Sequence, residues 1–235
     1  AFPIDNAGKS TVKDATKIDF EAKSSYALTV KATDNHGASG LGTVTVTVGN
    51  ITFNPIVTLG DTANSVVVSR VGSNLVVRSG AVNLTAPVRL EDVGVLTIIG
   101  GAAADSVTLD ASLNATGDVT TNRFTGSVVF QGNGGDDRLD AHNLNATIEV
   151  NFAGGEGNDI AMGGAGKDTL NGGEGRDLLI GGTGVDVISS GDGEDILIGG
   201  TSTLSGNSAA LNAVMAEWTD LTKSYADRVL HLSNG

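Results

Sequence analysis

The carboxy-terminal part of the chain alternates short apolar segments with glycine-rich polar segments at a fixed spacing of nine residues. Five such units fill residues 154–198 without a gap, and each consists of a six-residue turn followed by three residues that favour β-strands. Strand side chains alternate between faces, so the eighth place should point inward and the seventh and ninth outward. The eighth place is apolar throughout: Ala161, Leu170, Leu179, Ile188 and Leu197. This short period predicts a stacked solenoid, because no unit can bury its apolar face alone.

The outward places differ between alternate units. If successive units lie on opposite sides of a flattened solenoid, units one, three and five form one sheet, and units two and four form the other. The outer face of the first sheet is then also apolar, with Ile160, Met162, Leu178, Ile180, Ile196 and Ile198. The outer face of the second sheet is more polar, with Thr169, Asn171, Val187 and Ser189. An exposed apolar patch of this size is unusual on a soluble monomer, so we expect another segment to cover it.

The tail of the chain, residues 208–232, is the candidate cover. Its apolar residues recur at three-and-four spacing, which predicts one amphipathic helix, and they are Leu211, Val214, Trp218, Leu221, Tyr225 and Val229. We expect this helix to pack on the apolar sheet with Trp218 at the centre of the contact.

Polar residues at both ends of the tail fit this helix. Asn207 is placed to act as its N-cap. Lys223 and Arg228 lie toward its C-terminal end, where cations suit the helix dipole.

The six-residue turns hold the candidate chemistry. Glycine at the first, second and fourth places lets the backbone take positive φ and brings carbonyl groups close together. Carboxylates stacked at the ~4.8 Å strand spacing would repel one another. A hard divalent cation between turns removes this repulsion, and calcium, with about six to eight oxygen ligands, suits the site better than magnesium. The carboxylates occupy the sixth place of every unit: Asp159, Asp168, Asp177, Asp186 and Asp195.

Composition narrows the class of protein. The chain of 235 residues has 34 glycines and only 4% aromatic residues, which favours a turn-rich solenoid over a conventional globule. The net charge of −13 argues against nucleic acid as a partner and favours cations. No cysteine is present, so calcium would supply the stabilisation that disulfides give elsewhere. Because cytosolic calcium is too dilute for this role, we expect an extracellular location, either secreted or on the cell surface.

The nonads are similar to the GGxGxDxUx repeats of the RTX, or haemolysin-type calcium-binding, family, whose members form a parallel β-roll. In that family each ion lies between a turn and the turn two units later, held by backbone oxygens and two aspartates. The resemblance implies the pairs Asp159 with Asp177, Asp168 with Asp186, and Asp177 with Asp195. It also implies metal-binding turns at Gly155, Gly157, Gly164, Gly166, Gly173, Gly175, Gly182 and Gly184. The fifth unit departs from the pattern by beginning with Ser190.

Degenerate copies of the unit lie upstream, at GNGGDDRLD from Gly132 and GGAAADSVT from Gly100. The spacing shrinks toward the nonads, which indicates larger coils of the same right-handed helix narrowing into the roll. Asp137 and Asp105 fall at the aspartate place. We take Asp137 as a further candidate ligand and Asp105 as a turn without metal, because Ala103 replaces a glycine there.

The amino-terminal residues 1–50 alternate apolar and polar positions on two strands, SYALTVKATD and TVTVTV, joined by NHGASG. This stretch resembles the latter half of a bacterial cadherin-like repeat, in which residues matching Glu21 and Asp34 bind calcium between domains. Residues 56–153 carry short valine-rich strands that fit further solenoid coils.

The predicted fold is therefore all-β: a right-handed parallel β-helix or β-roll with a partial β-sandwich before it and a packed helix after it. The expected segments are residues 1–50 (cadherin-like), 51–153 (long coils), 154–200 (calcium-binding roll) and 201–235 (helical cap). No transmembrane stretch is visible, and because Ala1 opens in the middle of a pattern we expect a fragment of a longer protein.

The function that we expect is calcium binding, without catalysis, in a structural or adhesive segment of a large secreted or cell-surface bacterial protein. Other copies of the chain or cell-surface components are the further partners considered. Two alternatives stay open at this point. One is a folding and secretion module of an exported enzyme, and the other is a carbohydrate-active β-helix.

Overall fold

The structure is a computed structural model that describes residues 25–33, 36–37, 39–47, 52–114 and 124–234. The chain divides into two compact units, Ala1–Ile51 and Thr52–Gly235. Glu21 and Asp34, which carry the cadherin-like resemblance, lie outside the described residues. That resemblance therefore stays a prediction.

The described part of the first unit is an antiparallel pair of strands. Strand β1 (Ser25–Thr33) pairs with β2 (Ser39–Thr47), and Leu28 lies opposite Val44 in the register. Alternating apolar and polar positions predicted both strands and their antiparallel pairing, which the structure confirms.

The second unit is a solenoid built from two sheets. The six-stranded sheet is parallel throughout and consists, in spatial order, of β16 (Val187–Asp192), β14 (Thr169–Glu174), β12 (Glu149–Glu156), β10 (Ser127–Gly134), β8 (Val95–Ile99) and β3 (Ile56–Thr58). The nine-stranded sheet runs β17 (Ile196–Ile198), β15 (Leu178–Ile180), β13 (Ile160–Met162), β11 (Arg138–Asp140), β9 (Ser106–Leu109), β4 (Ser65–Val71), β5 (Asn74–Ser79) and β6 (Val82–Asn83), with β7 (Val88–Arg89) beside β5.

Consecutive nonads alternate between the two sheets, as predicted. Units one, three and five supply β13, β15 and β17, while units two and four supply β14 and β16. The coils also narrow as expected. The stacked aspartates Asp105 and Asp137 are 32 residues apart, Asp137 and Asp159 are 22 apart, and Asp159 and Asp177 are 18 apart.

The inward column of side chains forms the core between the sheets. Ala161, Leu170 and Leu179 at the eighth place are fully buried, and Leu139 and Val107 continue the nine-stranded column in the wider coils. The eighth place of the last unit differs, because Leu197 stays 47% exposed. No further coil stacks on its strand among the described residues, so the end of the core remains open to water.

The beginning of the solenoid differs from the prediction. The short valine-rich strands of this region were predicted as solenoid coils, but β4 and β5 pair antiparallel as a hairpin. Gly72, at φ +61°, and Ser73 form the two-residue connection, and a positive φ is what tight hairpin turns require. The hairpin buries Leu75 and Val77 completely in the core.

The outer face of the nine-stranded sheet is apolar on its last three rungs, β13, β15 and β17. Here Ile160, Met162, Leu178 and Ile180 are buried beneath helix α1 (Ser208–Trp218), which contributes Leu211 and Met215 to the same cluster. The predicted covering of this face by the tail is thus confirmed. Neither helix in the described part of the chain is long and apolar enough to cross a membrane.

The tail is two helices, not the single helix expected. Helix α1 begins at the predicted N-cap, where Asn207 Oδ1 accepts a hydrogen bond from the Ala210 N–H at 3.0 Å, and α2 spans Tyr225–Asn234. Ser224 and Asp227 cap α2 reciprocally, because the Asp227 N–H donates to Ser224 Oγ at 3.2 Å and the Ser224 N–H donates to Asp227 Oδ2 at 3.3 Å. This capping pair begins a new helix inside the apolar pattern.

Several side chains of the tail therefore lie away from their predicted places. Leu221, between the helices, is 76% exposed, and Tyr225 and Val229 are also exposed. Trp218 is buried but lies outside the central cluster, whose helical members are Leu211 and Met215 with Val214 partly buried beside them. Lys223 forms ion pairs with Glu217 and Asp220, and Arg228 is buried, so neither caps the end of a single helix.

Candidate metal centre

The sixth-place aspartates stack in a column along one edge of the solenoid. The backbone N–H of each aspartate donates to Oδ1 of the aspartate one coil later. The donor–acceptor distances are 2.7 Å from Asp105 to Asp137, 2.7 Å from Asp137 to Asp159, 2.8 Å from Asp159 to Asp177 and 2.9 Å from Asp177 to Asp195. One carboxylate oxygen per rung thus holds the stack together.

A second, shorter column lies on the even-numbered turns. The Asp168 N–H donates to Asp186 Oδ1 at 3.0 Å, and the Val150 N–H donates to Asp168 Oδ1 at 2.9 Å. Valine occupies the aspartate place in the coil before Asp168, so this column begins there. The two columns bring together all three predicted pairs, and Asp137 joins the first column beside Asp159.

The second carboxylate oxygen separates the aspartates into two groups. Oδ2 of Asp137, Asp159, Asp177 and Asp186 is buried and has no hydrogen-bond partner among the described residues. In contrast, Oδ2 of Asp105 accepts from the Gly101 N–H at 3.2 Å, and Oδ2 of Asp168 accepts from the Gly164 N–H at 2.8 Å. A buried carboxylate oxygen without a partner is costly, and a bound cation is the partner that removes the cost.

Burial also raises the proton affinity of Asp137, Asp159, Asp168 and Asp177. It raises the pKa of Asp159 to about 8, that of Asp137 to about 7 and that of Asp177 to about 6, with repulsion from neighbouring carboxylates adding to the shift. The pKa of Asp168 is raised as well, chiefly by burial. Without a cation, Asp137, Asp159 and Asp177 therefore take up protons near neutral pH, and a cation must displace those protons on binding.

The turn glycines leave no room for side chains beside the carboxylates. A Cβ on the first-place Gly154 would collide with Oδ2 of Asp159 and with the Gly172 carbonyl oxygen. A Cβ on Gly175 would collide with the Gly157 carbonyl oxygen one coil below. The turns therefore stack carbonyl groups against one another, and these carbonyls are the oxygens available to complete a calcium shell.

The predicted positive φ holds for only part of the glycine set. It occurs at the second and fourth places of units one, three, four and five, namely Gly155, Gly157, Gly173, Gly175, Gly182, Gly184, Gly191 and Gly193. Gly164 and Gly166 of unit two do not adopt it, and neither do the first-place glycines. Unit two stacks on the irregular segment around Leu144 and Ile148, which contains no matching turn, yet a Cβ on Gly166 would still collide with the Ile148 carbonyl oxygen.

The column begins at a residue that the sequence did not reveal. Asn64 precedes Ser65, which pairs in register with Ser106, so Asn64 occupies the aspartate place of the first coil. Its N–H and its Nδ2 donate to Asp105 Oδ1 at 2.8 and 2.9 Å. Asn64 thus engages Oδ1 of Asp105, and the Gly101 N–H engages Oδ2. The sequence did contain one signal for this place: a serine followed by an apolar residue comes after Asn64, as it does after Asp105.

Carboxylates alone do not complete a metal shell. Within the described part of the chain, no three acidic or histidine side chains lie close enough together to hold a metal ion. Each candidate site thus has two carboxylates from adjacent rungs, a dense set of backbone carbonyls and a buried oxygen without a partner. This donor set is entirely oxygen, which fits calcium.

The fold and the turns define a parallel β-solenoid with calcium-type turns. The comparison with known families agrees, because residues 125–148, 153–188 and 172–202 match the RTX calcium-binding nonapeptide repeat, in four copies. The chain therefore carries RTX calcium-binding repeats, and Ca²⁺ is the ion that they bind. The first matched segment includes Asp137. No curated protein and no solved structure gives a significant match to the chain.

Proposed function

We propose that this chain is a calcium-dependent structural and adhesive segment of a large secreted or cell-surface bacterial protein. Calcium binding rests on the matched repeats, and proteins with such repeats are typically secreted. The cadherin-like amino-terminal residues would serve as a spacer or adhesive module, and other copies or cell-surface components are the partners that fit this role.

One observation carries the proposal. Four buried carboxylate oxygens, on Asp137, Asp159, Asp177 and Asp186, lie without hydrogen-bond partners in stacked glycine turns of the described chain. A ligand that binds only the folded state stabilises that state by mass action. Calcium between adjacent rungs would therefore make the roll rigid in calcium-rich surroundings and weaken it where calcium is scarce.

We also propose a binding role and not a catalytic one for the roll. Its aspartates are engaged in the backbone ladder through Oδ1, so they are held for stacking and cation binding. A folding and secretion module of an exported enzyme is the alternative role. Calcium binding between the stacked turns would support that alternative role equally well.

Calcium titration of the wild type and an Asp177→Asn variant tests the proposal. Asp177 belongs to two adjacent pairs, so we expect isothermal calorimetry to show the loss of more than one site in the variant. A Glu174→Gln variant is the matched control, because Glu174 lies exposed in the same turn. The proposal fails if the wild type gives no calcium-dependent heat and the same circular dichroism spectrum in calcium and in chelator.

A further inference from the structure

The last turn of the roll, residues 190–195, has no further coil stacked on it among the described residues. Asp195 supplies the final rung of the column, where its Oδ1 accepts from the Asp177 N–H at 2.9 Å. In every earlier turn of the column, the aspartate N–H is held by the next aspartate. The last turn therefore needs another means of keeping its ligand in place.

The helical cap contacts this turn at the residue before Asp195. Trp218 Nε1 donates to the Glu194 carbonyl oxygen at 2.6 Å, which fixes the backbone of the turn. Arg228 Nη2 donates to Glu194 Oε2, which fixes its side chain. Arg176, on the neighbouring rung, also donates to Glu194 Oε2, at 2.7 Å.

Arg228 is unusual for an arginine, because only 3% of its surface is exposed to solvent. The hydrogen bonds of its guanidinium within the described chain go to Glu194 and to the Lys223 carbonyl oxygen at 3.0 Å, and its Nε has no partner. The guanidinium also lies 5.4 Å from the centre of the Trp218 ring. A buried charge requires its counter-ion, so the docking of α2 depends on Glu194.

We propose that Arg228 and Trp218 are positioning residues for the last calcium site, the one between Asp177 and Asp195. They hold the turn 190–195 where a sixth coil would otherwise hold it. Calcium at this site and docking of α2 on the roll then stabilise each other, because coupling between two binding events is reciprocal. This inference rests on the proposed calcium binding and goes beyond it by assigning the cap a role in ion affinity.

Simple electrostatics predicts the opposite sign. Arg228 is a cation near the site, so its removal would strengthen calcium binding if charge alone mattered. Positioning predicts that removal weakens binding, because the turn would then pay the cost of ordering when the ion binds. The direction of the change therefore separates the two explanations.

The test is terbium and calcium binding to Arg228→Met and to Lys223→Met. Terbium replaces calcium at oxygen sites. Trp218 is the only tryptophan in the chain and lies against the last turn, so terbium emission sensitised by tryptophan reports on that site. We expect Arg228→Met to weaken the sensitised site roughly 5- to 150-fold, the usual range of coupling between sites. Lys223→Met also removes one positive charge, but Lys223 forms ion pairs only with Glu217 and Asp220 of the cap among the described residues. This control variant should therefore leave the affinity unchanged.

Equal or tighter binding by Arg228→Met would overturn the inference while leaving calcium binding intact. Absence of terbium and calcium binding in the wild type would instead overturn the proposed function. A second measurement needs no variant: hydrogen exchange of the α2 amides in the wild type should be slower with calcium than without. If those amides exchange at the same rate in both conditions, the cap and the site are not coupled and the inference is wrong.

Discussion

In the calcium-free protein, the free energy of unfolding of the roll should fall as the pH rises. The buried carboxyls of Asp159 and Asp137 have pKa values raised to about 8 and about 7, far above the value of an exposed aspartate. In the calcium-free protein the folded state therefore binds more protons than the unfolded state throughout this window. Stability consequently falls as pH rises from about 4 toward about 8.

The size of this loss of stability follows from the pKa shifts. One pKa unit corresponds to about 1.4 kcal/mol, so Asp159 alone should remove about 4 kcal/mol of stability between about pH 5 and about pH 8. Asp137 adds to this loss, although the two groups are stacked neighbours and their contributions overlap. With saturating calcium the sign reverses, because the ion binds the deprotonated carboxylates and protons compete with it.

Urea denaturation followed by circular dichroism measures both curves. Calcium should be removed with a chelating resin, because soluble chelators themselves lose affinity in acid. Asp159→Asn is the control: it keeps an oxygen that can accept from the Asp137 N–H but removes the titrating group. We expect this variant to show a smaller pH slope without calcium and less stabilisation with calcium. Calcium-free stability that stays flat or rises across this pH range would refute the reasoning.

Two further predictions concern packing. Gly175→Ala places a Cβ against a carbonyl oxygen of the turn below at φ +122°, so it should lower both stability, by about 1–3 kcal/mol, and calcium affinity. Leu211→Ala opens a cavity between α1 and the apolar sheet and should cost about 2–5 kcal/mol of unfolding free energy.

Each packing variant has a matched control measured by the same thermal denaturation. Gly199→Ala places its Cβ in open space and should leave the melting temperature unchanged. Leu230→Ala removes an exposed leucine of the cap and should change stability by less than about 0.5 kcal/mol. Equal effects of a variant and its control would show that the named contact is not the cause.

The nine-residue period determined the sheets, the inward column and the stacking of the aspartates. These features are local, because a strand has a period of two and a glycine turn has a fixed length, so register follows from counting residues. The covering of the apolar sheet followed as well, since six outward apolar residues require a partner. Asp137 was placed correctly for the same reason, as the coil that contains it ends with the same turn pattern.

Tertiary structure alone decided which carboxylate oxygens stay free. Asp105 and Asp159 occupy equivalent places in their turns, yet Asn64 and the Gly101 N–H satisfy both oxygens of Asp105 while Oδ2 of Asp159 has no partner within the described chain. The sequence pattern also did not predict the break between α1 and α2 or the burial of Arg228. Each of these outcomes depends on groups from coils or helices far away in sequence, and the free energy of a buried polar group is set by its neighbours in space.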